Sequence, residues 1–137
     1  MKTIEVIIGW ENNYSAIFQS EELGSVLLTA ESMEDVKAQF PETFDFHIEG
    51  MVSDGDYVPD YIKNKQYEFE YKLNTSAYLH NLDRIVTRAA LSKVTGINER
   101  QLGHYAQGIS KPRQEQVDKI KKGIEKIRTL LASPSLQ

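Results

Sequence analysis

The spacing of apolar residues changes for the last time near Asn74, from a period of two to one of about 3.6. Just before that point, residues 66–73 (QYEFEYKL) alternate without a fault: Tyr67, Phe69, Tyr71 and Leu73 against Glu68, Glu70 and Lys72. A period of two predicts a strand with one buried and one wet face. After it, apolar residues recur at three- and four-residue steps, which predicts helices over 75–85, 88–95, 98–107 and 114–131. No Gly/Ser-rich linker separates the two parts. The expected fold class is α+β, with a sheet-containing domain over 1–73, an all-α domain over 74–132 and a flexible tail over 133–137.

The first part reads as strand, strand, strand, helix, strand (βββαβ). Ile4, Val6, Ile8 and Trp10 share one face of residues 2–10, with Thr3, Glu5 and Gly9 on the other. Glu11-Asn12-Asn13 is a turn, and Tyr14, Ala16 and Phe18 continue into a hairpin. Leu23-Gly24 turns the chain again before a third strand over 25–29. Ser32 can cap a helix whose first turn carries Glu34 and Asp35, acids suited to the positive end of the helix dipole. Val36, Phe40, Phe44, Ile48 and Met51 then form one buried face. Pro41 lies inside this run and is expected to kink the helix or to mark a restart, because it lacks an N–H and crowds the preceding turn. Residues 54–59, including Asp54-Gly55-Asp56 and Val58-Pro59, read as a loop.

The second part holds the most specific chemistry. Residues 87–108 (TRAALSKVTGINERQLGHYAQG) read as two short helices joined by a turn at Gly96. Leu91, Val94, Ile97, Leu102 and Tyr105 give them a common inner face. The outer face of the second helix offers Asn98, Glu99, Arg100, Gln101 and His104, side chains able to hydrogen-bond base edges. This is the layout of a helix-turn-helix DNA reader. Thr87 would cap the first helix and Asn98 the second, and Ser92 would fill the close crossing between them. Arg88 would face the phosphate backbone from one helix start. Arg100 suits guanine, Asn98 or Gln101 suits adenine, and Lys111 and Arg113 could hold the opposite backbone. A two-fold assembly would place two such helices one DNA turn apart, so the operator DNA is expected to be an inverted repeat. The bland alternative is a helix pair that only packs or dimerises. In the last helix, Val117, Ile120, Ile124, Ile127 and Leu131 form a narrow stripe, read first as core and second as a dimer seam.

Charge separates the two parts further. The whole chain has a net charge of -4, but residues 1–82 hold fifteen acids and five Lys, a balance of -10. Residues 83–137 hold eleven Lys and Arg and five acids, a balance of +6. The second part can therefore approach nucleic acid, while the first repels it and attracts basic proteins. The chain has no cysteine, which excludes disulfides and thiolate metal sites. Its longest apolar run, residues 6–10, is too short to span a membrane, and no signal peptide is visible. A cytoplasmic location is expected. His47, His80 and His104 are scattered, and no Ser-His-Asp set, phosphate loop or metal-ligand spacing is present. A ribonuclease H-type centre needs carboxylates converging on metal ions, and the first strand offers only Glu5, followed by Glu11. The expectation is a protein that is not an enzyme and needs neither cofactor nor metal.

Two resemblances follow from these residues. The turn Gly96, the closing Gly108 and the inner pair Leu102 and Tyr105 resemble the Cro/repressor-type helix-turn-helix family over roughly residues 74–131. Ser92 replaces the usual Ala, and Thr95 stands where Leu is frequent, so Val94 is expected to take over that core contact. Residues 2–73 resemble the HicB-type antitoxin domain. That likeness is carried by the strand 4–8, the turn before Tyr14, the Gly24 turn, the helix start over 29–35, and the run from His47 through Asp54-Gly55-Asp56 to Val58-Pro59. The combination implies a partial RNase H-like domain followed by a DNA-binding domain. It implies an antitoxin that blocks a small basic HicA-type, mRNA-cleaving toxin and represses its own operon, as a homodimer or larger oligomer. Candidate toxin contacts are the acids Glu5, Glu11, Glu68 and Glu70. Two other classes stay open: a stand-alone transcription regulator with a sensing or oligomerising first domain, and a residual nuclease.

Overall fold

A computed structural model describes all residues, 1–137. The fold is mixed α+β, with a four-stranded sheet and six helices. The elements are β1 (Lys2–Glu11), β2 (Asn13–Ser20), β3 (Gly24–Ala30), α1 (Met33–Ser53), α2 (Asp60–Lys63), β4 (Tyr67–Leu73), α3 (Thr75–Leu82), α4 (Arg88–Thr95), α5 (Glu99–Gln107) and α6 (Gln114–Ala132). The chain divides into two units, Met1–Asn74 and Thr75–Gln137. No helix is long and apolar enough to cross a membrane.

In the first unit the sheet order is β3-β2-β1-β4. Neighbours β1–β2 and β2–β3 are antiparallel, and β1–β4 is parallel. The β1–β2 turn is tight because Asn12 takes a left-handed conformation (φ 66°), which Asn tolerates better than most residues. Alternation then sends Ile4, Val6, Ile8, Tyr14, Ala16, Phe18 and Val26 inward, where all are buried.

The helix α1 covers that face. The Ser32 hydroxyl accepts a hydrogen bond from the Asp35 N–H at 3.1 Å, and Met33, Val36, Phe40, Phe44 and Ile48 are its buried residues. Phe44 sits at the centre of an edge-to-face lattice, with ring centroids 5.6 Å from Phe18, 5.5 Å from Tyr67 and 5.3 Å from Phe69. Each such pair adds about 0.5–1.5 kcal/mol beyond its buried area. His47, further along α1, is hydrogen-bonded at 2.6 Å to the Leu23 carbonyl and ties the β2–β3 turn to the helix.

Of the two outcomes expected at Pro41, the restart is excluded: α1 runs through it from Met33 to Ser53. The proline deprives the Lys37 carbonyl of its partner, but Lys37 is exposed, so water can serve it, while Phe40 and Phe44 anchor both sides. Residues 54–59 form the expected loop, but the βββαβ order omits the element that follows it. Residues 60–63 make the one-turn helix α2, which buries Ile62, with Val58 buried just ahead of it.

In the second unit, Leu79, Leu91, Ile97, Leu102, Tyr105, Ala106 and Ile120 form a single buried cluster, with Tyr78, Leu82, Val86, Ile124 and Ile127 packed at its rim. The α3 helix is tied to the end of α5 through one acceptor. Ser76 Oγ (2.6 Å) and His80 Nε2 (3.0 Å) both donate to the Ala106 carbonyl. The helices α4 and α6 approach closely at Gly123, where a Cβ would lie 2.7 Å from Thr95 Cγ2 and 3.2 Å from the Val94 carbonyl.

Two expectations are corrected here as well. Thr95 itself is buried, while Val94 is only half-buried. The threonine is at home in the core because its hydroxyl donates to the Leu91 carbonyl (2.7 Å) and accepts from the Ile97 N–H (3.2 Å). The stripe on α6 is core only in part. Ile120 is buried and Ile124 and Ile127 pack at the rim of the cluster, but Leu131 is 78% exposed.

Candidate nucleic-acid interface

The pair α4 and α5 is defined at both ends of each helix. Thr87 Oγ1 accepts from the Ala90 N–H at 3.1 Å, and Asn98 Oδ1 accepts from the Gln101 N–H at 2.8 Å. Each cap serves an N–H that has no partner inside its helix, and each is worth about 1 kcal/mol. Gly96 and Gly108 close the two helices in the left-handed conformation, both at φ 75°. That conformation costs glycine nothing and most other residues a good deal. The connection from α4 to α5 is therefore fixed by local chemistry, and Ile97 within it is buried.

Burial on α5 is one-sided. Leu102, Tyr105 and Ala106 are buried, whereas Asn98, Glu99 and Arg100 are exposed and Gln101 and His104 half-exposed. A groove beside this helix is lined by Asn98, Gln101, Ser110, Lys111, Arg113 and Lys119, among others. Four residues singled out from the sequence, Asn98, Gln101, Lys111 and Arg113, thus share one surface. Glu99, Arg100 and His104 belong to α5 but do not line the groove. Sequence reading missed Ser110 and Lys119. Ser110 accepts a hydrogen bond from Gln101 Nε2 at 3.1 Å, which steadies that amide. Lys119 is one of four lysines on α6, and nothing in their spacing singles it out.

Arg88 is engaged elsewhere. Its Nε and Nη2 donate to the two Asp83 carboxylate oxygens at 2.9 and 2.7 Å, a bidentate pair. A phosphate at this helix start would have to compete with that carboxylate.

The four candidate acids of the first unit lie on exposed strand positions. Glu5, Glu68 and Glu70 share the uncovered sheet face, and Glu11 ends β1. Lys72 lies between two of them, 2.9 Å from Glu5 and 3.7 Å from Glu70. The hydrogen bond and charge of Glu5, followed by the charge of Glu70, hold its pKa above the ordinary lysine value. Part of this acidic patch is therefore neutralised locally. No group of three or more His, Asp and Glu side chains is placed to hold a metal ion.

No protein-family model, curated protein or solved structure matches this chain.

Proposed function

We propose that the chain is a HicB-type antitoxin and autorepressor. In this reading the second unit is a Cro/repressor-type helix-turn-helix that binds operator DNA. The first is a partial RNase H-like domain that binds and neutralises a small basic HicA-type toxin. The observation that carries the proposal is the α4–α5 pair: both helices capped at both ends, with Asn98, Glu99 and Arg100 on the outer side of α5 and Lys111 and Arg113 beside it. Rigid presentation of polar side chains next to cations is what groove readout requires, phosphate contacts positioning the protein and base contacts specifying the sequence.

The charge division supports the same reading. The structural boundary at Asn74 separates a unit of net -10 from one of net +6, so each unit attracts the partner the other repels. The parallel pairing of β4 with β1, after three antiparallel strands and α1, is compatible with the expected N-terminal fold. Nothing in this function needs a catalytic group or a cofactor. A dimer would supply the second recognition helix.

The test is a tagged pull-down of the chain expressed from its own locus with its neighbours, read by mass spectrometry. Recovery of a small basic protein whose expression alone is toxic supports the antitoxin role. Recovery of this chain alone, with the neighbours confirmed as expressed, transfers the reading to a stand-alone regulator.

A further inference from the structure

The two edges of the sheet differ. The edge strand β4 carries Glu68, Glu70 and Lys72, charges of the kind that keep an edge from pairing with another chain. The other edge strand, β3 (GSVLLTA), has no charged residue and no proline over its seven positions. One side of β3 pairs with β2 along its whole length, from Gly24↔Ser20 to Ala30↔Tyr14. The other side has no strand beside it. On the uncovered face, Leu27 ends a cross-strand row with Ile17 and Ile7 and is 63% exposed. On the helix side, a groove runs between β3 and α1, lined in part by Leu27, Phe46, Gly50 and Met51. Phe46 is 78% exposed, an unusual position for a large ring.

Charge decides what fits this edge. Asp54 and Asp56 line the groove, and the exposed acids Glu21, Glu22 and Glu31 flank the two ends of β3. A second copy pairing antiparallel about Leu27 would set Glu31 of one chain opposite Leu23 of the other, next to Glu22, and would do so twice, gathering like charges at both ends of the pairing. A basic strand would meet acids at both ends and along the groove instead.

We propose that β3 is the docking edge for a strand of a basic protein, which extends the sheet to five strands and places its inward side chains against Phe46, Met51, Asp54 and Asp56. This rests on the reading of the first unit as the binder of a basic partner, and it locates that partner on the edge away from Glu68, Glu70 and Lys72.

The experiment uses the full chain, co-expressed with the small basic protein encoded beside it. Leu27→Lys and Ser25→Lys place a charge at exposed edge positions, and Glu70→Lys does the same at the other edge. Retained Trp10 fluorescence shows that each variant folds. The two β3 variants are expected to cut partner recovery roughly tenfold, and by more than Glu70→Lys does. In the wild-type complex, hydrogen exchange of the β3 amides should slow, the signature of backbone pairing. Loss confined to Glu70→Lys, or full recovery with both β3 variants, overturns the edge assignment while leaving the basic-partner reading intact. If the wild-type chain recovers no basic protein, that reading fails and this inference falls with it.

Discussion

In the first unit the core is built around a cluster of rings, and in the second around aliphatic side chains, Tyr105 and a close helix crossing. Phe44 touches the rings of Phe18, Phe40, Tyr67 and Phe69, so much of the space between α1 and the sheet is taken up by large side chains. Around Gly123 the reverse holds, since α6 lies so close to Val94 and Thr95 that there is no room for a methyl group. The two units are therefore vulnerable in opposite directions. Removing atoms should damage the first, and adding atoms should damage the second.

The sharpest test removes atoms. Phe44→Ala should destabilise the first unit by about 3–5 kcal/mol, the usual cost of deleting a fully buried ring. Denaturant titration followed by the fluorescence of Trp10, the chain's one tryptophan, reads this unit directly. A loss under about 1 kcal/mol would break the comparison on that side. The opposite change comes next. Gly123→Ala ought to gain helix propensity, yet we expect it to cost the second unit about 1–3 kcal/mol through overpacking against Thr95. Far-ultraviolet circular dichroism should register the loss, with the Trp10 transition in place. A stabilised Gly123→Ala variant would show that α4 and α6 can separate freely.

Much of this contrast was legible in the sequence, and its limits have physical reasons. The strands of the first unit announced themselves by alternation, and Ser32, Thr87, Asn98, Gly96 and Gly108 by cap and turn chemistry, all of which act within a few residues. What could not be read depends on contacts that exist only once the chain has folded. Thr95 looked like a gap in the core because its satisfaction by the Leu91 carbonyl and its fit against Gly123 belong to the folded state. Arg88 looked available because Asp83, five residues earlier, gives no periodic signal. Pro41 looked disruptive because the rings that anchor its helix come from β2 and β4. The one-turn α2 is too short to show any period.

The same comparison extends to charge, with smaller effects. In electrophoretic or anisotropy titrations with operator DNA, Arg100→Ala should reduce the preference for specific over random sequence by roughly tenfold to a hundredfold, the value of one good base contact. Lys111→Ala should instead weaken both sequences alike and lower the salt slope by about one. Unchanged preference in Arg100→Ala would move the recognition surface away from α5.

The smallest expected effect is alkaline. Burial raises the pKa of Tyr67 and Tyr71 in the first unit and of Tyr78 in the second above the ordinary 10.0, with Asp45 adding to the shift at Tyr67. The folded chain therefore keeps these protons to higher pH than the unfolded chain does. Their contribution is fully present below the ordinary value and is lost as pH rises through the folded one. Denaturant midpoints should begin to fall as pH passes the ordinary value, more for the first unit, which holds two of the three rings.

The parallel pairing of β1 with β4 also has a consequence for the order in which the protein can be made. Lys2 lies opposite Tyr67 and Ile8 opposite Leu73, so one flank of β1 is completed by residues some 65 positions later. The hairpins β1–β2 and β2–β3 can zip as soon as they leave the ribosome, because their partners are neighbours in sequence. The remaining flank of β1 must stay open until residue 73 has been synthesised, a delay of several seconds at ordinary elongation rates. Nascent chains halted before that residue should be the aggregation-prone species, and release of Leu73 should mark the moment at which the first unit closes.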